Sequence, residues 1–133
     1  MKLTLDNGVS ITLTKEQLEE INKQQNKLFN FRDIKSFEDA CNHLGIAVDN
    51  NLSNNGKLEV IIKAINNGWK PDFSNKNQAK YYPYLYVNNN GVSTYYYTDY
   101  NYSYRDLPLT LYLESSEKAE YMGKTFTHLY NEL

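Results

Sequence analysis

Residues 81–98 read Tyr81-Tyr82-Pro83-Tyr84-Leu85-Tyr86-Val87-Asn88-Asn89-Asn90-Gly91-Val92-Ser93-Thr94-Tyr95-Tyr96-Tyr97-Thr98, and the fold turns on how they are placed. Two runs rich in Tyr, Val and Thr flank an Asn-Gly turn signal, which is the mark of a β-hairpin. Side chains along a strand alternate between faces, so the partition is the same whether the loop holds two residues or four. That parity puts Leu85, Val87, Val92 and Tyr96 on one face, and Tyr82, Tyr84, Tyr86, Tyr95 and Tyr97 on the other.

Downstream, Leu107, Leu109, Leu111 and Leu113 alternate with polar or aromatic residues and predict a third strand. Ser115 or Ser116 then caps a helix whose stripe is Ala119, Met122, Phe126, Leu129 and Leu133, with Tyr130 beside it. This helix is expected to cover the leucine face of the sheet. Upstream, Leu58, Ile61, Ile62 and Ile65 keep helical spacing ahead of Gly68 and mark a core helix. A shorter helix precedes it: Ser36 and Asp39 open it, Phe37, Ala40, Cys41 and Leu44 share a face, and Gly45 closes it.

At the start of the chain, Leu3, Leu5, Val9, Ile11 and Leu13 alternate with polar residues around Asp6-Asn7-Gly8. A three-residue loop there pairs Leu5 with Val9 and Leu3 with Ile11, which gathers the apolar side chains on one face. Thr14 and Gln17 form a capping box, Leu13 and Leu18 a hydrophobic staple, and a helix is expected from about Lys15 to Asn26 with a thin stripe of Leu18, Ile21 and Leu28. The expected architecture is therefore α+β: a small three-stranded antiparallel sheet with helices packed on one face, plus an N-terminal β-hairpin and helix. Residues 1–133 are expected to form a single domain, with 1–30 (hairpin and helix) as an appendage and 35–133 as the main body.

Composition supports a folded chain. Leu, Ile, Val and Phe supply 32 of 133 residues, above the roughly 20 % below which burial fails to offset ordering entropy. Fourteen basic and sixteen acidic residues give a formal charge of −2, which leaves no global footprint for a polyanion. A single Cys and two His exclude a disulfide framework and a Cys/His zinc cluster. No apolar run approaches the ~20 residues of a membrane span, and no charged-then-apolar leader opens the chain, so the expected compartment is the cytoplasm of the producing cell.

Catalytic motifs do not emerge. Cys41 and His43 lie two residues apart on a helix, pointing about 200° away from each other, so they cannot act as nucleophile and base. Cys41 reads as core, and His128 falls at the rim of the terminal helix. Glu38-Asp39 suits a helix N-terminus, Glu16, Glu19 and Glu20 form a solvated face, and Gly-rich phosphate loops are missing. The chain is expected to be no enzyme and to need no cofactor or metal.

Ten of the thirteen Tyr fall between Tyr81 and Tyr104, interleaved with Asn, Ser, Thr and Asp as in antibody binding loops. Tyr82, Tyr84, Tyr86, Tyr95, Tyr97, Tyr100, Tyr102 and Arg105 are the candidate binding residues. A rigid amphipathic face of this kind suits a protein partner first. Single-stranded nucleic acid is the second reading, with bases stacked on the tyrosines and Lys70, Lys76, Lys80 and Arg105 as phosphate contacts, although Asp72, Asp99 and Asp106 stand beside those cations. Carbohydrate stacking ranks third among ligands, and an uncharacterised enzyme third among function classes; no membrane partner is expected. Trp69 with Pro71 is expected to anchor the loop after the core helix.

Four stretches occur in order: Ser36-Phe37-Glu38-Asp39-Ala40-Cys41, Asn67-Gly68-Trp69-Lys70-Pro71-Asp72-Phe73, Lys80-Tyr81-Tyr82-Pro83-Tyr84 and Ala119-Glu120-Tyr121-Met122-Gly123-Lys124-Thr125-Phe126-Thr127-His128-Leu129-Tyr130. With them the chain resembles small uncharacterised proteins of phages and prophages in gut Bacteroidota and related bacteria, over about Lys35 to Leu133. The resemblance implies a phage-related origin and carries over no catalytic residue. It also implies an accessory factor that binds a replication component, a virion component or a host defence protein, in the last case as an inhibitor.

Overall fold

The computed structural model describes residues 2–4, 10–12, 14–20 and 29–132, and the chain divides into two units, Met1–Asn30 and Phe31–Leu133. In the first unit, strands β1 (Lys2–Thr4) and β2 (Ser10–Thr12) pair antiparallel with Leu3 opposite Ile11. The expected Asp6-Asn7-Gly8 loop, Leu13 of the expected staple, and the expected helix and stripe over residues 21–28 lie outside the described residues. Thr14 N–H donates to Gln17 Oε1 at 2.9 Å and Gln17 N–H donates to Thr14 Oγ1 at 3.1 Å, a reciprocal cap that opens helix α1 over residues 15–20.

The second unit begins with a 3₁₀ turn, Phe31–Asp33, and helix α2 (Phe37–Leu44). Ser36 Oγ accepts from Asp39 N–H at 3.0 Å, and Gly45 closes the helix at φ 70°, where a side chain would be strained. Helix α3 (Asn54–Asn66) is capped by Ser53 and ends at Asn67 in the left-handed region, one residue before Gly68. Leu58, Ile61, Ile62 and Ile65 are all buried, as is Cys41. Strands β3 (Lys80–Val87) and β4 (Ser93–Asn101) follow, then a 3₁₀ turn (Leu109–Leu111), helix α4 (Ser116–Thr125) and a closing 3₁₀ segment, Thr127–Glu132. Ser115, whose Oγ accepts from Lys118 N–H at 3.2 Å, is the cap of α4. None of the helices among the described residues is long and apolar enough to cross a membrane.

The unit is α+β, with one two-stranded antiparallel sheet of β3 and β4 where three strands were expected. Leu107 to Leu113 does not form a strand, for two reasons. Pro108 starts the 3₁₀ turn and has no N–H to give a ladder. Beyond the turn, Leu113 makes a single bridge with Tyr81, through bonds of 2.9 and 2.8 Å, while Asn66 takes the segment's other side. Its buried amide donates to Tyr112 O at 2.9 Å and accepts from Glu114 N–H at 3.1 Å, standing in for a neighbouring strand. Alternation fails with it: Leu111, Tyr112 and Leu113 are all buried, whereas Leu109 is exposed. Leu111 and Leu113 join Met122, Phe126 and Leu129 of the terminal segment in one core with α3.

Helix α4 lies against the sheet at Gly123. A Cβ there would stand 2.5 Å from Tyr95 Cδ2 and 2.7 Å from Pro83 Cβ, so only glycine permits this approach. The contact fixes which sheet face is covered.

Candidate functional site

The β3–β4 register sets Tyr84 opposite Tyr97 but Leu85 opposite Tyr95, so Tyr96 is an extra residue in β4. This bulge reverses part of the expected partition, because one inserted residue shifts parity for everything beyond it. Tyr95 turns to the helix-covered face beside Pro83, where its hydroxyl meets Thr98 Oγ1 at 2.9 Å. Tyr96, expected on the covered face, is 65 % exposed. The hairpin thus keeps Tyr84, Tyr86 and Tyr97 outward and adds Tyr96 to them.

These four rings touch in series. Tyr84 stacks on Tyr97 with centroids 5.0 Å apart, Tyr97 meets Tyr96 edge-on at 5.2 Å, and Tyr96 meets Tyr86 edge-on at 5.7 Å. Each geometry suits the ring quadrupole, so the rings hold one another in place while remaining exposed. Tyr100 and Tyr102, also exposed, make a second edge-on pair at 5.5 Å, and Tyr100 leans on Tyr81.

Tyr82 leaves the candidate set, because it is buried and structural. Its ring meets Tyr112 edge-on at 5.8 Å, and its hydroxyl is shared between Asp99 Oδ2 and Asp106 Oδ2, each 3.3 Å away. Burial first, then these two carboxylates, hold the phenol in its neutral form and push its pKa well above the ordinary tyrosine range. Tyr112 is the post around which residues 101–107 wrap. Its hydroxyl accepts from Asp106 N–H at 2.9 Å and Leu107 N–H at 3.1 Å, and donates to Asn101 Oδ1 at 2.8 Å. No sequence pattern announces this role.

The expected phosphate contacts divide. Lys70, Lys76 and Arg105 are exposed. Lys80 is fully buried: its ammonium donates to Asn75 O at 2.9 Å and Tyr102 O at 2.5 Å and lies 4.8 Å from the centre of the Phe73 ring. Two backbone carbonyls and an aromatic face replace its hydration shell, so it ties the loop at Asn75 to the segment just beyond β4 at Tyr102 and cannot reach a phosphate. Of the other singled-out residues, His43 Nε2 pairs with Asn67 Oδ1 at 2.9 Å, and His128 is exposed. Trp69 is half-buried in an apolar groove of about 420 Å³ beside α3, together with Pro71.

A second cleft, of about 520 Å³, borders the tyrosine face. It is lined by Tyr84, Leu85 and Tyr86 of β3, by Asp106 and Leu107, and by Tyr130. The Tyr130 hydroxyl is buried with no hydrogen-bond partner, and that burial raises its pKa beyond the ordinary range. Compared with known protein families, curated proteins and solved structures, the chain matches none of them.

Proposed function

We propose that this chain is a non-catalytic binding protein that engages another protein through Tyr84, Tyr86, Tyr96 and Tyr97. Tyr100, opposite Tyr81 in the register, belongs to the other face of the sheet, and Tyr102 and Arg105 lie beyond β4. The observation that carries the reading is the series of mutually stacked yet exposed rings. Tyr supplies large contact area with only two side-chain torsions to freeze, and rings already held by neighbours lose still less freedom on binding. Four exposed aromatics in contact also exceed the scattered apolar residues of an ordinary surface. The burial of Lys80 counts against the nucleic-acid reading, since it removes one of four expected cations. With the resemblance noted above, the setting we propose is a bacterial host's cytoplasm. There a phage accessory factor would occupy a host or phage protein, a host defence component among them.

The test separates the two ligand classes. The full chain should show no binding to oligo-dT at low salt, while a tagged copy retains a protein from phage-infected cells. An oligonucleotide affinity that falls steeply as salt rises would replace this reading with the nucleic-acid one, because that slope reports released counterions.

A further inference from the structure

We propose that the cleft beside the tyrosine face is a slot for an extended peptide of the partner, which adds to the sheet as a third strand along the free edge of β3. This rests on the protein-binding reading above and specifies how the partner is held.

The backbone supplies the first argument. Tyr81 sends both its N–H and its C=O to Leu113, away from β4. In an antiparallel ladder these directions alternate, so Pro83, Leu85 and Val87 point their backbone groups to the same edge. Among the described residues no strand lies beside them: Leu113 makes an isolated bridge, and the chain before it turns away at Leu109–Leu111. Two N–H groups and three carbonyls therefore face a lane that no strand among the described residues fills. The cleft lies along that lane, since it touches consecutive β3 residues from both faces, Tyr84 and Tyr86 from one and Leu85 from the other.

Its chemistry describes the occupant. Leu85, Leu107 and the flanks of Tyr84 and Tyr86 accept apolar side chains in alternation, as strand addition requires. Asp106 is the charged residue in the lining and is exposed, which selects a Lys or Arg at one end of the peptide. A second copy of the chain fits worse. Pairing two β3 edges about Leu85 would set each Val87 carbonyl against Pro83, which has no N–H, and Pro on an edge is a known bar to such pairing.

The test pans a displayed library of linear ten-residue peptides against the full chain and measures selected peptides on wild type, Val87→Pro and Tyr97→Ala. Val87→Pro removes one edge N–H from an exposed position, and its melting temperature is checked against wild type. Selected peptides should carry alternating apolar residues with a Lys or Arg, and should slow amide exchange at Leu85 and Val87. They should lose about fivefold to tenfold in affinity on Val87→Pro, the worth of one hydrogen bond. Loss of binding on Tyr97→Ala with full binding to Val87→Pro would overturn the strand mode and leave the tyrosine face standing. Failure of the library to yield any binder, or peptides indifferent to both changes, would overturn the strand mode, whereas the tyrosine reading falls only if the variant Tyr84→Ala with Tyr97→Ala still captures the partner protein. Slowed exchange at Leu85 and Val87 that needs only higher protein concentration would overturn the peptide in favour of a second copy.

Discussion

Tyr84 lies on Tyr97 with ring planes 26° apart, and 47 % and 41 % of the two residues remain open to solvent. A cross-strand aromatic pair adds to sheet stability. Here the sheet has only two strands, and the rest of the tyrosine series continues from this pair through Tyr96 to Tyr86. The register that creates the pair also creates the bulge, so the exposed tyrosine series and the strand pairing share one cause.

Gly123→Ala should destabilise the chain by about 1–3 kcal/mol, as overpacking does. The new methyl would meet Tyr95 and Pro83, and a proline ring has little room to move. Urea unfolding measures this; a stabilised variant would mean that α4 can withdraw from the sheet freely.

Phe126→Ala should cost roughly 3–5 kcal/mol, as large core truncations do. Phe126 is 2 % exposed and packs among Leu111, Leu113 and Met122. A loss below about 1 kcal/mol would contradict that packing.

How far such packing can be read from residues alone depends on how local its cause is. The caps at Thr14 and Ser36 are legible, and the last cap is narrowed to Ser115 or Ser116, because a hydroxyl and a backbone N–H three residues on meet within one helical turn. The α3 stripe is legible for the same reason. Tyr95 and Tyr96 could not be told apart: in a run of three tyrosines nothing marks which residue a bulge will leave over. Lys80 reads as a surface cation until Asn75 and Tyr102 bring carbonyls to it from both sides along the chain. Leu107 to Leu113 has a strand's alternation, but Pro108 and the distant Asn66 decide otherwise.

Tyr112→Phe keeps the buried ring and deletes the oxygen that holds Asp106, Leu107 and Asn101. Two partly buried N–H groups then lose their acceptor, a loss of about 1–3 kcal/mol. Amide exchange at Asp106 and Leu107 should quicken well beyond the global change. Uniform quickening would show that the 101–107 loop is held by something else.

Alkaline pH supplies a further check. The folded state raises the Tyr82 pKa, so the unfolded chain loses that proton first. The associated stability is fully present below the ordinary tyrosine pKa near 10 and is lost as pH rises beyond it. Unfolding midpoints should therefore fall with pH in the alkaline range, and Tyr82→Phe should reduce that slope. An unchanged slope would remove Tyr82 as its source, leaving Tyr130, Tyr121, Tyr97 and Cys41, whose pKa values burial also raises.

The exposed tyrosines are proposed to recognise a protein without holding the fold, and one double variant, Tyr84→Ala with Tyr97→Ala, addresses both halves. Losing this cross-strand pair should cost about 1 kcal/mol, so its melting temperature should stay within a few degrees of wild type. Capture of the protein retained by the wild-type chain should be lost. A variant that melts far below wild type, or one that captures the same protein undiminished, would contradict the account.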